Sequence, residues 1–294
     1  MYPILFSLGP LTIPTFGIFA LMGFFFGSFV IWKRARETHF SEEDIFDGIL
    51  LVTLAGLVGA RIVYILLHFS HFGFWPFGWL SLLRIPGLTF VGGLVMGLSM
   101  LNYLSRRRHW DFYEISDIFV TGFSLVQAIG WLGAFFSGTG VGRESKLGFV
   151  FPGYETPHFP AQLIWMVGCA LLFILLWRVE QRYRTYEWYR AGKVSAANGF
   201  LTFSYFIVLG ILQLGISLSV GTRVYWWGFP ADLFLGVCML GTGVAGLYRR
   251  SGRSLTDDRI RLYDFIVLGI RKGVVTIRQF DRKVKGIDVK ARKS

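Results

Sequence analysis

Arg61, in the run Gly59-Ala60-Arg61-Ile62-Val63-Tyr64, places a full positive charge inside a long apolar stretch. Such a charge in hydrocarbon is costly unless it is paired or hydrated, so it points to a role. A guanidinium fork there could grip a lipid phosphate through two parallel N–H donors. It could equally reach for the membrane surface or pair with a neighbouring helix. Gln127, Gln162 and Gln213 also fall within apolar stretches, where amide side chains commonly bond one helix to another. Asp117 and Asp232 open two of the stretches, and a carboxylate suits a helix N-terminus. His68, His71 and His158 flank the stretches and read as interfacial. No pair of carboxylates, no Ser-His-Asp set and no His/Cys metal spacing emerges, and neither a metal nor a cofactor is expected. Taken alone, these residues declare a membrane protein but no reaction.

The elements that must position them are membrane spans. Of 294 residues, 53% are hydrophobic and only 16% charged, whereas a water-soluble domain carries roughly 25% charged residues. Seven apolar stretches run from about Leu11 to Trp32, Ile49 to Leu67, Gly87 to Leu104, Ile115 to Phe136, Pro160 to Trp177, Gly199 to Val220 and Trp226 to Leu247. Each approaches the length a helix needs to cross the hydrocarbon core. The expected fold is an all-α integral membrane protein of about seven transmembrane helices. Residues 1–250 form the transmembrane domain and residues 251–294 a basic tail. Cys169 and Cys238 lie within apolar stretches and read as small buried hydrophobes rather than a disulfide. Residues Met1–Pro10 lack the positive start of a cleavable signal, so the first span is expected to stay.

Charge sets the orientation. Lys33, Arg34 and Arg36 follow the first stretch, Arg106–Arg108 the third, and Arg178, Arg182, Arg184, Arg190 and Lys193 the fifth. Arg249, Arg250 and Arg253 follow the seventh. The other connections carry only Arg84, Arg143, Lys146 and Arg223. Because Lys and Arg stay cytoplasmic, the N-terminus is placed outside and the C-terminus inside. The net charge of +12 then reflects an anionic leaflet rather than nucleic acid, for which no soluble basic module is present. The tail is either an amphipathic helix on that leaflet or a solvated extension. Glycines crowd the third and fourth spans, where small residues let helix backbones approach.

Several motifs together resemble the prolipoprotein diacylglyceryl transferases of the bacterial inner membrane. The opening Pro3–Ile13 and the Gly59-Ala60-Arg61 run with Tyr64 are similar to the family's first segment and second-span motif. Thr89–Gly97, with Gly92 and Gly93, follows the outline of its His-Gly-Gly-Leu motif. Ser116-Asp117 opens the fourth span, and Gly130, Gly133, Phe135, Gly138 and Gly142 fall on its signature. Pro160 and Gln162 match its Pro-Ser-Gln-Leu-Tyr-Glu segment. The resemblance implies a multi-pass inner-membrane enzyme. It would take diacylglyceryl from phosphatidylglycerol to the lipobox cysteine of a lipoprotein precursor, presented by its signal segment.

The same comparison shows which positions differ. Val91 stands at the family's histidine, Trp131 at an arginine, Ala134 at the asparagine and Thr139 at a glutamate. Phe16 replaces a tyrosine, and Ile164-Trp165 replaces Tyr-Glu. Leu209 replaces a tyrosine, Gln213 a second arginine and Ser217 a further glutamate. Arginines and glutamates are lost together, as expected when an unpaired survivor in lipid would be costly. Arg61, Arg143 and Arg223 remain as cations for an anionic head group. The alternative to transfer is therefore a relative that binds anionic lipid or precursor without turnover. A relocated site would recruit Arg61, Arg143, Glu144, His158 and Arg223.

Overall fold

The computed structural model describes residues 4–8, 11–73, 79, 87–185, 198–219, 225–226 and 228–250. Arg223 and the 251–294 tail lie outside these residues. Up to Leu247 the chain is one compact unit. Its long helices are α1 (Thr15–Arg36), α2 (Glu42–Leu67), α4 (Phe90–Arg107), α5 (Phe112–Ser137), α6 (Ala161–Thr185), α7 (Phe200–Ser217) and α8 (Ala231–Arg250); α3 (Phe69–Phe72) is a single turn. Six of the long ones are long and apolar enough to cross a membrane. The exception is α4, the third expected span, an 18-residue helix that ends on Arg106 and Arg107.

Strands appear in the connections and at the starts of the first and seventh expected spans. β1 (Ile4–Leu8) and β2 (Leu11–Pro14) form an antiparallel hairpin. The hairpin takes up the start of the first expected span, so α1 begins at Thr15. β3 (Glu144–Phe149) lies between α5 and α6, and β4 (Tyr225–Trp226) pairs with β5 (Phe229–Pro230) before α8.

The surface is that of a protein whose solvent is lipid. Phe25, Leu66 and Leu171 are each more than half exposed, whereas exposed charge gathers at the helix ends. Cys169 is buried, but Cys238 is exposed on α8, a correction to its expected burial. Its thiol faces outward from the bundle.

Bare helix backbones make the closest crossings. A Cβ on Gly59 of α2 would meet the Gly92 carbonyl oxygen of α4 at 2.6 Å. A Cβ on Gly122 of α5 would lie 2.7 Å from the Gly27 oxygen of α1, and one on Gly210 of α7 would lie 2.9 Å from the Gly236 oxygen of α8. In lipid, van der Waals contact must drive helix association, and only small residues allow it at this range.

Polar clamps tie the ends that carry the basic clusters. Arg108, just past α4, reaches Asp44 at 2.7 Å and Asp47 at 3.0 Å in the first turns of α2. Arg34 of α1 is buried and pairs with Glu180 of α6 at 3.2 Å. Its guanidinium lies 3.8 Å from the Trp177 ring centre and donates to the Trp177 carbonyl at 3.2 Å.

Asp117 of α5 serves α7 rather than its own helix. Oδ2 accepts from Gly199 N–H at 2.7 Å, and Oδ1 accepts from Thr202 N–H at 2.8 Å and from its hydroxyl at 2.6 Å. Gly199 at the N-cap has no side chain to satisfy the first N–H groups, so a carboxylate from the next helix does so.

Two predictions follow from this packing. Gly59→Ala should destabilise the protein by roughly 1–3 kcal/mol through overpacking. Gly130→Ala, where an added Cβ meets nothing within 4 Å, should be neutral or slightly stabilising; thermal unfolding in detergent compares them. Asp117→Ala should cost about 1–2 kcal/mol as a lost helix cap. The loss should appear as faster amide exchange at Gly199–Thr202 before any change in α2 or α4.

Candidate functional site

The glycines at the exit of the fourth span position two connections. Asp111 starts α5 by accepting from Tyr113 N–H at 3.0 Å, and Gly138 ends it in the left-handed conformation, φ 73°. Beyond that turn, Gly142 donates to the Phe159 carbonyl at 3.0 Å. A Cβ at Gly142 would sit 2.6 Å from that oxygen and 2.9 Å from the Ser219 oxygen at the end of α7. Arg143 N–H donates to Ser219 at 2.9 Å, and the Arg143 carbonyl accepts from Phe159 at 2.9 Å. Glycine at 142 therefore lets the α5–α6 connection lie against the end of α7. Gln162, fully buried in the first turn of α6, closes the arrangement by donating Nε2 to the Thr139 carbonyl at 2.9 Å.

The remaining motif glycines divide by what they touch. Gly92 packs on the Gly59 backbone, and Gly93 faces the Gly56 oxygen, 3.3 Å from where a Cβ would be. Gly133 accepts Phe19 of α1, whose Cγ would be 3.0 Å from an added Cβ. Gly130 has open space at its Cβ position. These glycines answer for packing at Gly92, Gly93 and Gly133, for chain path at Gly138 and Gly142, and for neither at Gly130.

Between α5 and α6 the centre is aromatic. Trp131 and Trp165 stack face to face with ring centres 5.3 Å apart and planes 8° from parallel. Resemblance assigns arginine and glutamate to these two positions, where the structure has two stacked indoles. The exchange is physically balanced: two neutral indoles need no charge compensation in a dry interior. Around them, Ala134 and Leu209 are buried, and the Ser217 hydroxyl donates to its own helix at Leu214, 2.8 Å. The Thr139 hydroxyl lies 3.0 Å from that of Ser137. Deeper in the bundle, the buried Tyr205 hydroxyl donates to Gln127 Oε1 at 2.7 Å, a helix-to-helix bond of the kind expected for the amides.

Of the cations expected at a lipid head group, Arg61 and Arg143 have different neighbours, and Arg223 lies outside the described residues. Arg61 is buried and directs its guanidinium to the chain that follows α2: Nε donates to the Trp79 carbonyl at 2.9 Å and Nη1 to Gly87 at 3.0 Å. These two contacts fasten Arg61 to backbone carbonyls beyond its own helix. Thr89, next to it, donates its hydroxyl to the Ala60 carbonyl at 3.1 Å. Arg143 is exposed in the α5–α6 connection.

Arg143, Glu144 and His158 do come together in one short ladder. Glu144 and His158 are antiparallel bridge partners, as are Phe149 and His158. Glu144 accepts from the Thr156 hydroxyl at 3.0 Å. The buried His158 places Nδ1 2.8 Å from the Thr156 carbonyl. A carbonyl can only accept, so Nδ1 carries a proton in this contact and Nε2 is the nitrogen not committed to it. Among the described residues no three His, Cys, Asp or Glu side chains gather as they would around a metal ion.

Sequence reading missed the Arg34–Glu180 pair, the capping role of Asp117 and the strand β3. Arg34 looked like one member of a basic cluster. A faint signal existed in Glu180, a lone acid among Arg178, Arg182 and Arg184.

Comparison with known proteins agrees with this frame. The profile of the prolipoprotein diacylglyceryl transferase family matches residues 3–249. A phosphatidylglycerol–prolipoprotein diacylglyceryl transferase of Streptococcus agalactiae is 25% identical over 269 residues, covering 84% of this chain and 96% of that protein. One of Coxiella burnetii is 32% identical over 189 residues, covering 62% of this chain and 72% of that protein. A match that runs from the first hairpin through the last helix places all the described elements within one family: the chain belongs to the prolipoprotein diacylglyceryl transferases.

Proposed function

We propose that the protein is a seven-span protein of the bacterial inner membrane, N-terminus outside, that transfers diacylglyceryl from phosphatidylglycerol to the lipobox cysteine of a lipoprotein precursor. The observation that carries this reading is the family match across residues 3–249. Relatives aligned over most of their length bear the name of that activity. The α4 helix is the additional span: its two terminal arginines belong to the head-group layer, where long basic side chains reach the phosphates. All the strongly basic helix ends then fall on the cytoplasmic side.

In the transfer, the thiol loses its proton and sulfur attacks the glycerol carbon bearing the phosphate ester. The C–S bond forms as the C–O bond breaks, and glycerol phosphate leaves. The step needs a base, because thiolate is the nucleophile, and a cation that stabilises the departing phosphate. On this reading His158 Nε2 takes the proton and Arg143 meets the phosphate. Arg61 holds the connection after α2.

A second reading is binding of anionic lipid or precursor without turnover. The Trp131–Trp165 stack fills two positions to which the resemblance assigns charged side chains.

Reconstitution with labelled phosphatidylglycerol and a lipobox peptide separates the two. Turnover above empty membranes that is lost in His158→Gln supports transfer. Retention of phosphatidylglycerol over neutral lipid, with no labelled peptide formed, supports binding alone. Turnover that is indifferent to His158→Gln and Arg143→Ala would remove both residues from the mechanism.

The stack makes a prediction of its own. Trp131→Ala and Trp165→Ala should each lower stability. The double variant should lose less than their sum, with a coupling of roughly 0.5–1.5 kcal/mol in thermal or denaturant unfolding.

A further inference from the structure

Leu147, Gly148, Phe149 and Val150 follow one another through β3 and its exit, and Leu147 is 86% exposed, Val150 60% and Phe149 47%. An apolar run this open to its surroundings is unfavourable in water and marks a surface that something covers.

The fold fixes where this run sits. Both bridges from β3 go to His158, just before α6 begins at Ala161. The Phe149 ring meets Phe135 edge-on at 5.7 Å, and the buried Phe151 meets the same ring at 6.0 Å. Phe135 lies in the last turn of α5, which ends at Ser137. β3 is therefore held against the ends of two membrane-crossing helices and does not stand away from them.

The helix ends beside β3 expose apolar side chains of their own: Phe136 on α5 is 41% exposed and Ile164 on α6 is 40% exposed. The charged groups beside the run are Arg143, Glu144, Lys146 and Glu155, all exposed; Glu144 accepts from the Thr156 hydroxyl. Tyr154, 45% exposed, packs on His158 with ring centres 4.3 Å apart. Tyrosine and cations interleaved with exposed aliphatics is the composition of a membrane–water interface.

We propose that the segment Lys146–Tyr154 is a wedge seated in the bilayer leaflet at this end of the bundle. Leu147, Phe149 and Val150 enter below the head groups, and Lys146 and Arg143 stay at the phosphate level. The occupant of this surface is lipid, and the segment lies in the interface without crossing it. It fixes the depth of the α5–α6 end and brings head-group phosphates to the same connection that carries His158. The inference rests on the membrane setting of α5 and α6 and stands whether or not the protein turns over.

Depth-dependent quenching tests it on the full chain in nanodiscs. In a Cys238→Ser background, Leu147→Cys and Val150→Cys are labelled with an environment-sensitive fluorophore. Glu37→Cys, exposed between α1 and α2, serves as the aqueous reference. Lipids carrying a nitroxide at the head group or upper acyl chain should quench positions 147 and 150 severalfold more than position 37. Aqueous iodide should show the reverse order. Iodide quenching at 147 and 150 equal to that at 37 would overturn the proposal. So would insensitivity to both quenchers, the result expected if a second copy or another protein covered the surface. Position 147 is so exposed that the substitution leaves the packing intact, and thermal unfolding of each labelled variant confirms that the bundle is folded.

Discussion

Inside a bilayer there is no water to finish a hydrogen bond, so buried polar groups must find partners within the protein. The interior arrangement of this bundle follows from that constraint. Asp117 is answered by the first turn of α7, Tyr205 by Gln127, and the Gln162 amide N–H by the Thr139 carbonyl. Arg61 donates to the Trp79 and Gly87 carbonyls beyond α2. Each of these bonds joins different elements, so meeting the constraint also specifies how the helices are arranged. Ser105, Thr121 and Ser217 take the simpler course and bond to carbonyls in their own helices.

Apolar length and charge asymmetry made the helices readable in the sequence, because bilayer thickness and the positive-inside rule act on composition alone. Helix ends shifted where local chemistry intervened. α2 extends back to Glu42 because Ser41 caps it and three acidic residues fill its first turn. α1 starts late because Leu11–Pro14 pairs with the preceding strand. β3 was hidden for a different reason: its exposed residues follow no alternation of apolar and polar types, and its partner His158 contributes single bridges rather than a full strand.

The glycines show the limit of motif reading. Gly59, Gly92, Gly130 and Gly142 look alike in a sequence. In the fold, the first two face each other across a helix crossing, the last makes room for two connections, and Gly130 touches nothing that a methyl group would disturb. Trp131 and Trp165 were each visible in the sequence. That Trp131 and Trp165 find each other was not, since they lie on different helices and nothing in local spacing couples them. Their pairing ties α5 to α6. Arg61 carries a similar lesson: its charge marked it as important, but only the path of the chain after α2 reveals that its partners are backbone oxygens.

The carboxylate of Asp117 has a consequence in time as well as in space. Synthesis runs from the N-terminus, and domains take shape in that order. When Phe200 enters the membrane, α5 has already been made, and with it the acceptor that completes the first turn of α7. A helix that begins at a glycine has no side chain of its own with which to finish that turn. Its starting point is set by a residue 82 positions earlier in the chain. The capping bond thus joins the first turn of α7 to a helix made before it.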